Sequence, residues 1–223
     1  MMGIFIAAII ISSWGAHLFY CLKYADVSPG NVFLYLHILL QAYLYTGLFI
    51  TAHDAMHGNI TKKRTINNLI GKLASFLFAA LSYNKLFLNH HTHHAHPGTE
   101  KDPDFYPSSR NFFAWWFVFL KHYISVIQII LMAVIFNLLK IFFAEISIWL
   151  FFVLPVILST FQLFYFGTYL PHRLPHEHLM PPHNSRTQKK NHIIAMLSCY
   201  FFGYHLEHHT SPKTAWWQLY RTK

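Results

Sequence analysis

The sequence predicts an all-α integral membrane protein with four transmembrane helices, a re-entrant or interfacial helical hairpin, and a cytoplasmic helical cap rich in histidine. Of its 223 residues, 54% are hydrophobic and 18% aromatic. Only 11% are charged, against about 25% in soluble domains. Most of the 18 histidines lie outside the apolar segments or at their ends. Neither a repeat nor a separate soluble segment is visible, so residues 1–223 are expected to form a single domain.

Four apolar segments are long enough to cross a hydrocarbon layer of about 30 Å, which takes about 20 helical residues. They are residues 3–22, 32–52, 123–143 and 146–170. The first has no basic residue before it and no small-residue cleavage site after it, so it is expected to be a span and not a signal peptide. A fifth apolar run, residues 66–88, is interrupted by polar side chains and is predicted to form the hairpin.

Basic residues predict the orientation. Residues 53–111 and 171–223 each contain seven Lys or Arg, whereas the two intervening turns contain one each, Lys23 and Lys140. The positive-inside rule then places both termini and both long loops in the cytoplasm. The net charge of +9 follows from this bias and from attraction to anionic membrane lipid, so no nucleic acid partner is expected.

Three groups of histidines share one helical spacing. "TAHDAMHGN" places His53 and His57 four residues apart, and "HHTHH" and "GYHLEHH" each contain a triplet at positions i, i+3 and i+4. Such residues lie on one face of a helix. The triplets are His90, His93 and His94, and His205, His208 and His209. Eight neutral imidazoles are enough for two metal ions, and they suit iron, zinc, copper or nickel.

Other polar residues near the groups are weaker candidates. His172, in "FGTYLPHR", is a candidate ninth ligand, and His183, in "PPHNSRT", could reach the site. Asp54 and Glu207 point away from the histidine faces and are either hydrogen-bond acceptors for ligand imidazoles or solvated charges.

Two further sets have a simpler interpretation. Asp102 and Asp104 follow the first triplet in "PGTEKDPDF"; they could orient ligand histidines, but helix capping is favoured. His17 and His37 lie within predicted spans, where an interhelical hydrogen bond is favoured over a functional role. The two cysteines, Cys21 and Cys199, lie at the edge of a span and in a short apolar segment, which argues against a disulfide framework and against a thiolate metal site.

The motifs that are missing from the sequence narrow the range of possible reactions. The general base of H-E-x-x-H, the nucleophile elbow, the phosphate loop and the dinucleotide fingerprint are all missing from the sequence. An all-nitrogen site at a membrane boundary indicates redox iron that uses dioxygen on a lipid-soluble molecule. The reductant must then come from another protein.

The boxes HDAMH, HHTHH and YHLEHH resemble the three-box pattern of the membrane fatty-acid desaturase and hydroxylase superfamily. The longer stretches "HHTHHAHPGTEKDPDF", "FGTYLPHR", "HNSRT" and "FGYHLEHH", with a Trp-Trp near the end, are similar to bacterial and cyanobacterial β-carotene ketolases over residues 45–218. The resemblance implies a desaturase-like domain and a non-haem di-iron monooxygenase. It would use dioxygen to convert carbon 4 of a β-ionone ring from a methylene to a ketone.

The same resemblance implies the iron ligands, the partners and the location. The two irons would be held by His53, His57, His90, His93, His94, His172, His205, His208 and His209. A carotenoid would be the substrate, a ferredoxin-type protein the electron donor, and the bacterial cytoplasmic membrane the location. Tyr165, Phe166 and Tyr169 are candidate walls of the substrate groove.

Three alternatives stay open. A carotenoid hydroxylase or a fatty-acid desaturase would share the boxes. A histidine-rich metal transporter would need polar residues paired across several spans, for which only His17, His37 and Glu145 are candidates. A membrane haem subunit would use paired histidines within the spans.

Overall fold

The computed structural model describes residues 1–108, 111–176 and 180–223, and every regular element within these ranges is helical. The helices are α1 (Met2–Tyr24), α2 (Val32–His57), α3 (Arg64–Ala79), α4 (Tyr83–Ala95), α5 (Phe112–Tyr123), α6 (Val126–Leu139), α7 (Glu145–His172), α8 (His192–Cys199) and α9 (His205–Thr210), followed by a 3₁₀ helix over Trp216–Arg221. The predicted all-α class is confirmed for the described residues.

Three helices, α1, α2 and α7, are long and apolar enough to cross a membrane. The pairs α3–α4 and α5–α6 are bent by 102° and 91°, and counting each pair as one broken span raises the number to five. The first bend falls inside the hairpin predicted for residues 66–88. The predicted span 123–143 differs more from the structure, because Ser125 and Gln128 form a capping box that starts α6 at Val126 and limits it to 14 residues.

Helix α2 lies at the centre and packs against α1, α3 and α7. Asn31 caps its start by accepting a hydrogen bond from the backbone N–H of Phe33. Its end is set by Gly58, at φ 74°, directly after His57. Because a left-handed residue stops a helix, α2 ends where its second site histidine lies.

The bend between α3 and α4 brings α4 back beside the end of α2. A Cβ atom on Gly71 would lie 2.2 Å from the ring of Tyr83, so a glycine is needed for the two helices to pack this closely. Ser82 caps α4, and its side chain accepts a hydrogen bond from the backbone N–H of Lys85. This local geometry places the histidines of α4 over the end of α2.

Helix α7 contains a wide π-helical turn at Tyr165–Tyr169. In a regular α-helix, residues nine apart such as Leu163 and His172 would lie on opposite faces. The wide turn takes up an extra residue, and it lets Leu163 line the cavity beside the histidines while His172 joins them. Such turns are often found at functional sites.

Candidate metal centre

Eight histidines form two groups of four, and within each group one ring nitrogen from each histidine lies within 4.8 Å of the others. The first group comprises His53, His57, His90 and His208, and the second comprises His93, His172, His205 and His209. All eight side chains are buried. The residues come from α2, α4, α7 and α9, so the site exists only when four separate helices meet.

The triplet spacing explains how α4 and α9 serve both groups. His90 belongs to the first group and His93 to the second, while His208 belongs to the first and His205 and His209 to the second. Residues three and four apart lie on one side of a helix but diverge by a fraction of a turn. Each triplet therefore lies between the two groups and contributes to both.

His94 lies between the groups. Its Nε2 atom is 2.9 Å from Nε2 of His208. Its ring centroid is 4.5 Å from that of His90 in the first group and 4.3 Å from that of His209 in the second. The structure thus brings together all nine histidines that the sequence proposes as ligands.

Hydrogen bonds set the tautomers of two histidines. Nδ1 of His93 donates to the Asp102 carboxylate at 2.9 Å, and Nδ1 of His172 donates to the Asn184 carbonyl at 2.9 Å. When such a ring is neutral, the proton on Nδ1 leaves Nε2 as a lone pair facing the second group. Metal-ligating histidines are held in this way in proteins.

The donor set fits bound cations. Nε2 of His53 in the first group and Nε2 of His172 in the second are buried without a hydrogen-bond partner among the described residues. Leaving such atoms unpaired is unfavourable, and a cation in each group would pair them. Burial, reinforced by neighbouring imidazoles, also holds the pKa of His205, His208 and His209 well below the usual value, so these rings are neutral and able to bind a metal.

Asp102 orients the site, and the prediction that it caps a helix is wrong. Its carboxylate accepts from His93 and also from the backbone N–H groups of Gly98, at 2.8 Å, and Asp104, at 2.9 Å. Burial would raise the pKa of Asp102, but His93 and these hydrogen bonds outweigh it, so the pKa lies below its usual value. Gly98, at φ 66°, makes the turn that folds this loop back over α4.

Asp104 does not cap a helix either. The Tyr123 hydroxyl donates to its carboxylate, and Nε1 of Trp115 donates to its backbone carbonyl at 2.8 Å. Burial raises the pKa of Asp104 to about 7, and the charge of Asp102 adds to the shift. Its other carboxylate oxygen is 4.0 Å from Nδ1 of His93, beyond hydrogen-bond distance. Asp104 therefore ties α5 to the loop that carries Asp102.

The other three residues proposed to lie beside the ligands, Asp54, Glu207 and His183, lie at the edge of the site. Asp54 accepts from the backbone N–H of Trp216 at 3.1 Å, while its other oxygen is 3.9 Å from His53. Glu207 binds Lys223 at 2.9 Å and the Thr187 hydroxyl at 2.6 Å, so it anchors the carboxyl-terminal segment. The ring of His183 lies 5.7 Å from that of His209.

A small cavity of about 30 Å³ adjoins both groups of histidines. His53 and His90 of the first group and His93 and His205 of the second line it, together with Gly167 and Thr168 from the wide turn of α7. A second cavity, of about 200 Å³ and lined almost entirely by apolar side chains, shares five lining residues with the first. These are Phe49, Leu86, Phe119, Tyr123 and Leu163. The two cavities form a path from apolar surroundings to the histidines.

The proposed groove walls lie elsewhere. Tyr165 and Phe166 line a separate apolar groove, and none of the nine histidines lines it. The ring of Tyr169 packs against those of Phe112 and Trp115. The cavity residues from α2, α4 and α5 carry no sequence signal of their own, because an apolar side chain on a helix looks the same whether it faces lipid or a cavity.

Comparison with known proteins identifies the family. The sequence model of the fatty acid desaturase family matches residues 30–144 and 121–223. The chain is 36% identical, over 97% of its length, to a zeaxanthin 4-ketolase of Chlamydomonas reinhardtii, and 35% identical, over 96% of its length, to a beta-carotene ketolase of a Paracoccus species. It spans 52% of the first relative and 89% of the second.

A more distant relative and the solved structures complete the comparison. An sn-1 acyl-lipid omega-3 desaturase (ferredoxin) of a Synechocystis species is 37% identical over 40% of the chain and 26% of that relative. No solved structure matches. Since the family model and relatives above 30% identity cover most of its length, the chain belongs to the fatty acid desaturase family.

Proposed function

We propose that this membrane protein is a β-carotene ketolase. It is a non-haem di-iron monooxygenase that introduces a keto group at carbon 4 of a β-ionone ring, converting β-carotene to echinenone and then canthaxanthin with dioxygen and external electrons. The supporting observation is the two groups of histidines at the end of an apolar path, in a chain whose relatives include ketolases.

The nine histidines are proposed to hold two iron ions, one in each group of four with His94 between them. Iron bound there supplies the redox chemistry that lets dioxygen react at a C–H bond. The side chains orient and enclose it: Asp102 and the Asn184 carbonyl hold the imidazoles of His93 and His172 with Nε2 facing inward. Burial of the site keeps bulk water away from the reacting atoms.

The two cavities suit a long apolar substrate with a ring at one end. We place the ring beside the histidines, where the small cavity must widen to admit it, and the chain in the adjoining apolar cavity. An allylic C–H bond is weak, so the protein has chiefly to decide which carbon approaches the site. Phe202, whose ring lies 5.0 Å from His53 and 5.4 Å from His205, is placed to set that approach.

Gly167 makes room for Phe202, and enlarging it should reduce turnover. A Cβ atom on Gly167 would lie 2.1 Å from Cε1 of Phe202, so Gly167→Ala must displace that ring toward the histidines. Such overpacking costs about 1–3 kcal/mol of folding stability. Because the ring of Phe202 is displaced beside the histidines, we also expect ketone formation to fall about tenfold with iron retained, which is about 1.4 kcal/mol in the barrier. Gly15→Ala is the control, because nothing lies within 4 Å of its Cβ position. Wild-type turnover in Gly167→Ala would contradict this role for Phe202.

A ferredoxin-type protein is proposed as the electron donor. A polar groove beside the site is lined by Lys62, Arg64 and Lys213, with no carboxylate among its lining residues, and it reaches His57 and His91. The Lys213 ammonium donates to the His57 carbonyl at 2.7 Å. Complementary charge speeds the encounter of redox partners, so an acidic donor fits this groove.

Reversing the groove charge should weaken the donor and leave the chemistry intact. In Lys62→Glu with Arg64→Glu we expect the KM for an acidic ferredoxin to rise about tenfold and the salt dependence of the rate to flatten, because long-range attraction is lost. The rate with a small chemical reductant should stay unchanged. Lys72→Glu, an exposed position on the same helix as Arg64 but outside the groove, is the matched control. If the wild type, the double variant and Lys72→Glu all have the same KM for the donor, the docking site lies elsewhere.

The orientation is proposed from the sequence. The protein is placed in the bacterial cytoplasmic membrane as one desaturase-like domain, residues 1–223, with four spans and with the histidine site and both termini in the cytoplasm. The exposed apolar surface of α1, α2 and α6 agrees with contact to lipid. Reporter fusions after residues 28, 142 and 223 test this orientation. The fusion at residue 223 should report the cytoplasm, and a cytoplasmic signal at residue 28 or 142, in the two short turns, would overturn the orientation.

Product analysis in a β-carotene-producing host tests the activity. A ketone at carbon 4 supports the proposal, whereas a ring hydroxyl would indicate a hydroxylase and a new acyl double bond a fatty-acid desaturase. Metal analysis separates the remaining alternatives. Two irons per chain without a Soret band are expected, which neither a haem subunit nor a metal transporter would show.

A further inference from the structure

A second cluster of metal-binding side chains lies at the opposite end of α1 and α2. It consists of His17 and Cys21 on α1 and His37 on α2, and one donor atom from each lies within 4.8 Å of the others. His37 precedes His53 by 16 residues of the same helix, which corresponds to about 24 Å. The cluster is therefore separate from the two histidine groups, and its chemistry is independent of the proposed function.

Gln41 sets the tautomer of His17. Its side-chain carbonyl oxygen is 2.6 Å from Nδ1 of His17. Because an amide oxygen can only accept, Nδ1 carries the proton and Nε2 presents a lone pair. Gln41 is fully buried, and its amide nitrogen has no hydrogen-bond partner among the described residues, so the bond to His17 is the main polar contact of this side chain. This is the arrangement by which proteins hold an imidazole toward a metal.

The three donor atoms converge at ligand spacing. Nε2 of His17 is 3.1 Å from Nδ1 of His37 and 3.6 Å from Sγ of Cys21. Atoms that share one metal ion at bond lengths of about 2.0–2.3 Å lie about this far apart. Cys21 is buried, whereas His17 and His37 are half-buried, so an ion could reach the cluster from the side of the imidazoles.

The charge of the ligands and their surroundings determines which metal ion the cluster favours. A thiolate ligand favours monovalent copper or zinc among the biological metals. Apart from Gln41 and Tyr20, whose ring lies 5.6 Å from that of His37, the residues that flank the cluster on α1 and α2 are mostly apolar. An uncompensated charge in such surroundings is strongly unfavourable. One thiolate neutralises Cu⁺ completely but leaves Zn²⁺ with a net positive charge.

From this geometry we propose that His17, Cys21 and His37 form a three-coordinate site for a monovalent copper ion. The sequence alone favours an interhelical hydrogen bond for these histidines and gives no reason to expect a thiolate site. The contact with Cys21 becomes visible only when α1 and α2 pack together. A bound ion would join the two helices near the turn that connects them.

The test uses the iron-loaded protein, so that the nine site histidines are occupied. One equivalent of Cu(I) is added without oxygen, and the copper is examined by X-ray absorption and by competition with a chromogenic Cu(I) chelator. We expect one sulfur and two nitrogen neighbours. In Cys21→Ser the sulfur signal should disappear and the affinity should fall by about a hundredfold. Cys199→Ser, which alters the other buried cysteine, should bind like the wild type.

His37→Ala provides a second variant, because this half-buried residue can be changed with less effect on folding. It should keep the sulfur signal, lose one nitrogen neighbour and bind copper more weakly. Equal copper binding in the wild type, Cys21→Ser and His37→Ala would overturn the proposal, as would displacement of Cu(I) by an equal concentration of Zn²⁺. Absence of binding by the wild type would show that the cluster is only hydrogen-bonded.

Discussion

His94→Ala is expected to lower the iron content and to abolish ketone formation. His94 is the one histidine whose ring lies between the two groups, with its Nε2 atom 2.9 Å from that of His208 and its centroid 4.3 Å from that of His209. Its removal should therefore disturb both metal positions at once. We expect product formation to fall by more than about a hundredfold, beyond the usual effect of losing a residue that only supports a ligand. Iron per chain and carotenoid products are the measurements.

His96→Ala is the matched control. His96 follows the same helix, is exposed and lies outside both histidine groups, so iron content and product should match the wild type. Retained turnover in His94→Ala, with a protein that still binds two irons, would contradict the ligand set. Equal losses in both variants would show that any change at this helix end disturbs the fold.

Asp102→Asn should have the next largest effect. The Asp102 carboxylate accepts from Nδ1 of His93 and from two backbone N–H groups, so it fixes both the imidazole and the loop beside it. An amide has one oxygen instead of two and carries no charge. Loss of such a partner typically lowers metal affinity or activity by about 10–100-fold. Chelator competition measures the loss of iron affinity, and the ketone yield at saturating iron measures the loss of activity.

Asp26→Asn serves as its control. Asp26 also accepts backbone and side-chain hydrogen bonds in a turn, and its partners are Ser28 and Asn31. It is far in sequence from the nine site histidines. Iron affinity and yield should not change in this variant. If Asp102→Asn keeps wild-type iron affinity, then His93 is held in place by packing alone, and the assigned role of Asp102 is wrong.

Eight of the nine candidate site histidines are predicted from local spacing, whereas His172 is proposed from its place at the end of the last predicted span. Positions i, i+3 and i+4 share a helix face whatever the rest of the chain does, as in His90, His93 and His94. Their division between two groups could not be predicted, because it depends on how α4 and α9 lie against α2. The capping role predicted for Asp102 fails for the same kind of reason: its partner, His93, is reached only after the Gly98 turn.

The residues that line the substrate path could also be predicted only in part. Tyr165 and Phe166 are reasonable candidates from their place beside "FGTYLPHR", yet the cavity that reaches the histidines uses Gly167 and Thr168 of the same turn. The wide turn of α7 decides which of these neighbours face the site. No periodicity in the sequence reveals that a turn is wider than 3.6 residues.

Membrane character, helical class, family and the candidate metal-binding side chains follow from the amino-acid order, because apolar run length, helical spacing and motifs are properties of short segments. The pairing of imidazoles in space, the carboxylate behind His93, the cavity beside the site and the meeting of His17 with Cys21 and His37 belong to the folded chain. Each of these depends on contacts between helices distant in sequence, which the sharp bends and the wide turn of α7 bring together.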